Sequence, residues 1–163
     1  ALLRVTTDDD EGRRETFELG RDLETPLATI SARLGVTHAD EAGTDLVGRL
    51  SIDRRLPDGS LGLDLERSVF YDDEPGVLSR AGVSWSKTVN EISSISLDIT
   101  YELSEAPSER IEQVSFGAGY SRNLTADWSL NSGVGYRVRN DADGHSESPT
   151  LFVSISRDFT FRP

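Results

Sequence analysis

Cysteine is absent from the 163 residues, which removes disulfides and thiolate metal sites together and leaves the redox compartment unread. Histidine is nearly absent: only His38 and His145 offer an imidazole. Nowhere do about 18 apolar residues run together, so no helix is available to cross a membrane. A β-barrel escapes that test, because alternating strands dilute the apolar signal by half. Positive charge is also scarce. With 17 Lys and Arg against 29 Asp and Glu, the formal charge is −12, which repels nucleic-acid phosphates over most of the surface and excludes that class of partner. The chain opens at Ala1 with neither a methionine nor a signal segment, as expected of a processed protein or a piece of a longer one.

What is present is alternation. Residues 79–88 read SRAGVSWSKT and residues 113–121 read QVSFGAGYS: every second side chain is apolar or aromatic, and those between are Gly, Ser or single charges. Period two is the strand period, and the helical period is not sustained anywhere. The pattern predicts ten strands in a single domain spanning 1–163, at about 1–8, 14–22, 26–37, 45–56, 59–71, 77–88, 91–103, 110–123, 127–139 and 150–161. Short connections with turn chemistry (RDLE before Thr25-Pro26, Pro57-Asp58-Gly59, Val89-Asn90, Thr125-Ala126) alternate with longer acidic ones. The acidic ones are residues 8–12, HADEAGT at 38–44, residues 72–76, SEAPSE at 104–109 and NDADGHSES at 140–148. Such sorting predicts an all-β, antiparallel up-and-down meander closing into a transmembrane β-barrel of about ten strands, short turns at one end and long acidic loops at the other.

Each strand has two unlike faces. One carries runs such as Ala28, Ile30, Ala32, Leu34, Val36 and Ile95, Leu97, Ile99, Tyr101, Leu103, about as long as the 9–11 residues that cross the hydrocarbon when tilted. The other is built from Gly, Ser and charges, which pack poorly on a soluble protein's open face but suit a crowded lumen. Arg33, Arg49, Asp53, Asp64, Glu66, Arg80, Asp98 and Arg137 are expected to line that lumen, with Arg49 near Asp64 or Glu66. Trp85, Tyr120, Trp128, Phe159 and Phe161 near the short turns or the C-terminus, and Phe70, Tyr71, Tyr101 and Tyr136 toward the long loops, are expected to form two interfacial belts.

GYSRNLTADWSL (119–130), GVGYRVRND (133–141) and LFVSISRDFTF (151–161) give the chain a resemblance to bacterial outer-membrane β-barrel proteins of an acidic, Gly/Ser-rich type. It covers the last third closely and the rest by pattern. The resemblance implies a Gram-negative outer membrane, lipid and lipopolysaccharide as surroundings, both termini periplasmic, long loops extracellular, and a C-terminal strand ending on Phe that the barrel assembly machinery reads. Here Arg162 and Pro163 follow Phe161, a departure from that ending. The thin first two strands also fit the C-terminal part of a larger barrel.

Three clusters invite chemistry. His145, Ser146 and Glu147 are the residue types of a hydrolase, but neighbours in a loop do not hold a nucleophile, base and acid in line. Asp72 and Asp73 with His145 fail the same geometric test. The acidic loops could bind Ca2+ or Mg2+, bridging to lipopolysaccharide phosphates, although Asn140-Asp141-Ala142-Asp143-Gly144 lacks the rest of a calcium loop. A solvated acidic rim is the plainer expectation, and no cofactor is expected. The sequence therefore points to a non-enzymatic barrel with a structural or surface-interaction role. Its alternatives are a porin-like diffusion channel as part of a wider barrel, an outer-membrane hydrolase, and a soluble sandwich or lipocalin-like carrier with its apolar faces turned inward.

Overall fold

In the computed structural model the backbone is described for residues 2–8, 14–39, 43–71 and 75–157, and side chains within these from Glu15 onward except Ala39 and Tyr71. Ten strands follow one another: β1 (Leu2–Asp8), β2 (Arg14–Glu24), β3 (Ala28–Ala39), β4 (Gly43–Leu56), β5 (Gly59–Tyr71), β6 (Pro75–Asn90), β7 (Ser93–Glu105), β8 (Arg110–Asn123), β9 (Trp128–Asp141) and β10 (Gly144–Arg157). Each pairs antiparallel with its sequence neighbours in one sheet ordered β1 to β10. Within the described residues β1 and β10 have no second partner, so the ten strands form an arc and do not close on each other.

Local chemistry sets the turns. Thr25 Oγ1 accepts from Ala28 N at 2.9 Å and donates to Ala28 O at 2.8 Å, closing the β2–β3 connection with Pro26 inside it. The β6–β7 turn is Glu91-Ile92, two residues later than the composition suggests, because Asn90 Oδ1 accepts from Ile92 N at 3.1 Å and Ser93 Oγ at 2.8 Å. Thr125 Oγ1 holds the β8–β9 turn through Asp127 N and Trp128 N.

At the acidic end, residues 9–13, 40–42 and 72–74 lie outside the described residues. Of the two described connections there, 106–109 is a tight turn with reciprocal Ala106–Glu109 backbone bonds. The other corrects an expectation: 140–148 is no long loop. Asp141 Oδ1 accepts from Asp143 N at 3.1 Å, Gly144 takes φ of 126°, and β10 begins there rather than at 150. A positive φ at that site suits glycine and no L-residue. Pro149 lies within β10, which pairs on one side only, with β9, among the described residues.

The sheet has no core. Among described hydrophobic residues only Val47 and Val69 are buried, both 6% exposed, while Leu151 remains 76% exposed. The accessible surface is 11678 Å², against about 8000 Å² for a compact protein of 17.9 kDa. A soluble sandwich or lipocalin-like carrier would bury its apolar faces. This sheet leaves them bare, so that alternative falls.

Candidate functional site

Directly opposed residues in an antiparallel sheet share a face, so the register assigns every strand position to one side. Arg33, Arg49, Asp53, Asp64, Glu66, Arg80, Asp98 and Arg137 all fall on one polar face. One row across it runs Arg33, Arg49, Glu66, Arg80, Glu102 and Gln113. Arg33 and Arg49 are like charges placed directly opposite, an unfavourable pair, and Arg49 leans away: its Nη2 reaches Asp64 Oδ1 at 3.3 Å. Arg80 donates from Nε at 2.9 Å and Nη2 at 2.7 Å to one Glu102 oxygen. Between these pairs lies a hollow of about 260 Å³ lined by Asp64, Glu66, Arg80, Ser84, Asp98 and Thr100. Arg33 and Arg137 make no hydrogen bond or ion pair among the described residues, which leaves two guanidinium groups facing whatever occupies this side. Glu102, the partner that fixes Arg80, is absent from the sequence-derived set of face residues.

Toward β8–β10 the same face changes character. Gly117 opposes Gly135 and Gly119 opposes Gly133. A Cβ on Gly133 would stand 2.5 Å from the Phe152 ring and 2.9 Å from Ala118 O. Phe152 thus covers a glycine and supplies the packing that glycine lacks.

The other face is apolar. Trp85, Tyr101, Tyr120, Trp128 and Tyr136 all lie on it by register, whereas Phe70 does not: it sits on the polar face beside Gly76. Phe159 and Phe161 are outside the described residues. The apolar band does not follow the hydrogen-bonded rows. On β3 it spans Ala28–Val36, centred on Ala32. The row through Ala32 crosses Leu65 and Tyr101 and ends at Glu147 on β10, yet the β10 run, Leu151–Ile155, centres on Val153. The band has slipped six residues over seven strand-to-strand steps. At ~3.3 Å per residue and ~4.8 Å between strands this is a tilt of roughly 30°, near the 35–45° of closed barrels. A slab of lipid crossing tilted strands produces such a drift.

Against that geometry the solved structures are informative. The fold is that of an outer-membrane β-barrel. OmpT, an outer membrane protein of Vibrio cholerae folded in vitro, superimposes with a TM-score of 0.64 at 9% identity, over 91% of this chain and 49% of its own. A loop L8 deletion mutant of the same protein gives 0.66 at 11% identity, over 91% and 53%. This chain spans about half the length of the barrels it matches. No protein-family model and no curated protein matches it in sequence.

The catalytic residue types resolve differently. His145 accepts or donates at Nδ1 to Asn140 Oδ1 (2.7 Å) and at Nε2 to Glu147 Oε1 (3.1 Å), and Glu147 also accepts from the Tyr136 hydroxyl. These four stand on the apolar side of β9 and β10. Ser146 stands on the opposite side, its Oγ directed at Arg139 O. Strand alternation therefore parts the hydroxyl from the imidazole, and a nucleophile–base pair from 145 and 146 is not formed. Asp72 and Asp73 lie outside the described residues. No cluster of three metal-ligating side chains occurs among the described residues.

Proposed function

We propose that this sheet is an arc of a passive diffusion channel in the bacterial outer membrane, with its apolar face against lipid and its polar face lining water. The observation that carries the reading is that, among the described residues, both edge strands lack a second partner on a sheet whose polar face is charged: β10 is exposed along its whole length, and the matched barrels are about twice as long as this chain. A barrel of ten strands would have a lumen nearly filled by side chains, whereas one of 16 or more leaves an aqueous passage. This favours the channel over the closed structural barrel that the sequence put first.

The chain's described ends, Leu2 and Arg157, both lie at the short-turn end. In the proposed orientation that end is periplasmic and the acidic end faces outward, where divalent cations could bridge carboxylates to lipopolysaccharide phosphates. Delivery through the barrel assembly machinery belongs to the same reading. On the polar strand positions carboxylates (Glu18, Asp53, Asp64, Glu66, Asp98, Glu102) outnumber the guanidinium groups of Arg33, Arg49, Arg55, Arg80, Arg137 and Arg139 once Asp22, Glu24, Asp45 and Asp141 are included. Such a lining prefers cations. The test is conductance of the folded full-length protein in planar bilayers. Discrete, cation-preferring steps are expected, with a stronger preference in Arg33→Glu. Folded protein that never conducts would return the reading to a structural barrel.

A further inference from the structure

Lys and Arg are the scarce charges of this chain, yet at the short-turn end of the apolar face they recur with a period. Arg21, Arg54, Lys87, Arg122 and Arg157 sit one each on β2, β4, β6, β8 and β10, always within the last four described residues of the strand. Register places each on the apolar face: Arg21 opposes Ala32, Arg54 opposes Leu61, Lys87 opposes Ile95, Arg122 opposes Leu130 and Arg157 opposes Trp128. All five are exposed. The row through Arg21 ends at Glu147, ten residues short of Arg157, so this line descends across the sheet in the same sense as the apolar band and borders it at the short-turn end.

The other border is mixed and net acidic. Glu15, Glu105, Glu112 and Glu147 occupy apolar-face positions toward the acidic end together with Arg67 and Arg110, but Arg67 donates to Ser79 Oγ at 3.1 Å and Arg110 pairs with Glu105 at 3.7 Å. At the short-turn end no strand places a carboxylate on this face among the described residues. Arg21, Arg54, Lys87 and Arg122 have no hydrogen bond or ion pair among the described residues, and the turn carboxylates Asp58, Glu91 and Asp127 form none with them. Aromatic rings accompany the line. Trp85 shares a row with Arg54, and Tyr120 shares one with Lys87. The Arg157 guanidinium lies 5.3 Å from the centroid of the Trp128 ring.

We propose that these five residues form a cationic girdle that binds the headgroup phosphates of phospholipids in the leaflet at the short-turn end. Long basic side chains at the edge of an apolar band lay their stems on it and carry the charge outward to the headgroups, and anionic lipid attracts each such charge. The girdle rests on the reading that the apolar face meets lipid, and it adds a polarity: phosphate-seeking basic charge alone at one border, a net acidic mixture at the other.

Trp85 and Trp128, the only tryptophans in the chain, border the girdle and report on it. The folded full-length protein is placed in vesicles of phosphatidylcholine mixed with phosphatidylglycerol, with one or the other lipid brominated, and tryptophan quenching gives the relative affinity. A preference for phosphatidylglycerol on the order of fivefold is expected, falling toward one in high salt and in the Arg54→Gln, Lys87→Gln, Arg122→Gln triple variant. These side chains have no partners among the described residues, so folding should survive. If it does not, the salt dependence of the wild type decides. Equal quenching by both lipids, or a preference that survives both salt and the triple variant, overturns the girdle. A girdle-dependent preference for lipopolysaccharide over phosphatidylglycerol overturns its assignment to a phospholipid leaflet. No quenching by either brominated lipid would instead defeat the membrane reading itself.

Discussion

Between β3 and β7 the polar face is held by charge: Arg49 to Asp64, and Arg80 by two donors to Glu102. Between β8 and β10 the same face carries one ion pair, Arg139 to Asp141 near the acidic end, and is otherwise held by the absence of side chains, with Gly117 and Gly119 facing Gly135 and Gly133, and Phe152 laid over Gly133. The charged half makes its contacts within adjacent hairpins. The glycine half lets backbones and one ring approach closely, and it ends on a strand exposed throughout. Stability in the second half therefore depends on fit, and in the first on screened pairs that are individually weak.

The sharpest way to separate the halves is steric. Gly133→Val should cost about 2 kcal/mol, because its side chain meets the Phe152 ring and the Ala118 carbonyl. Gly82→Ala, whose Cβ meets nothing nearer than 3.8 Å, should be neutral or stabilising by about 0.5 kcal/mol. Urea unfolding in vesicles reads both, and equal costs would erase the contrast. Next in size is Arg80→Gln. Its side chain is 45% exposed and that of Glu102 28%, so screening limits the loss to about 0.5–1 kcal/mol, and raised salt should shrink it further.

Smallest is the pH response of Glu147, on β10 outside the apolar run that starts at Leu151. The Tyr136 hydroxyl first, and His145 second, hold its carboxyl below the usual glutamate range. A depressed value in the folded state means the contribution is present above the unfolded glutamate pKa and is lost as pH falls through the folded one. The stability gap between wild type and Tyr136→Phe should accordingly be full at neutral pH and close in acid. A gap that widens in acid would reverse the assignment.

Which face each residue takes was legible from period two alone, since alternation needs no knowledge of neighbours. Who pairs with whom was not, because pairing depends on where the turn is centred. A turn at Val89-Asn90 would set Arg80 opposite Ile99. The turn at Glu91-Ile92, fixed by the Asn90 side chain, together with the one-residue register shift between Thr88 and Asn90, sets it opposite Glu102. The 140–148 segment misled for a related reason: its polar residues read as loop, while Asn140–His145 and Tyr136–Glu147 contacts make them cross-strand partners. Phe70 and Phe152 escaped the two-face rule because packing against Gly76 and Gly133 gives a ring a place on the polar side. The basic line at the short-turn border needed the register of all ten strands before its members could be seen together.

The most direct test of the two-faced arc uses the absence of native cysteine. Leu63→Cys and Asp64→Cys, adjacent on β5 and on opposite faces, are made singly in the folded full-length protein in vesicles and treated with a charged, membrane-impermeant thiol reagent. The account expects rapid modification at 64 and protection at 63, with a fluorophore at 63 quenched by brominated lipid. Modification at 63 with protection at 64 would contradict it.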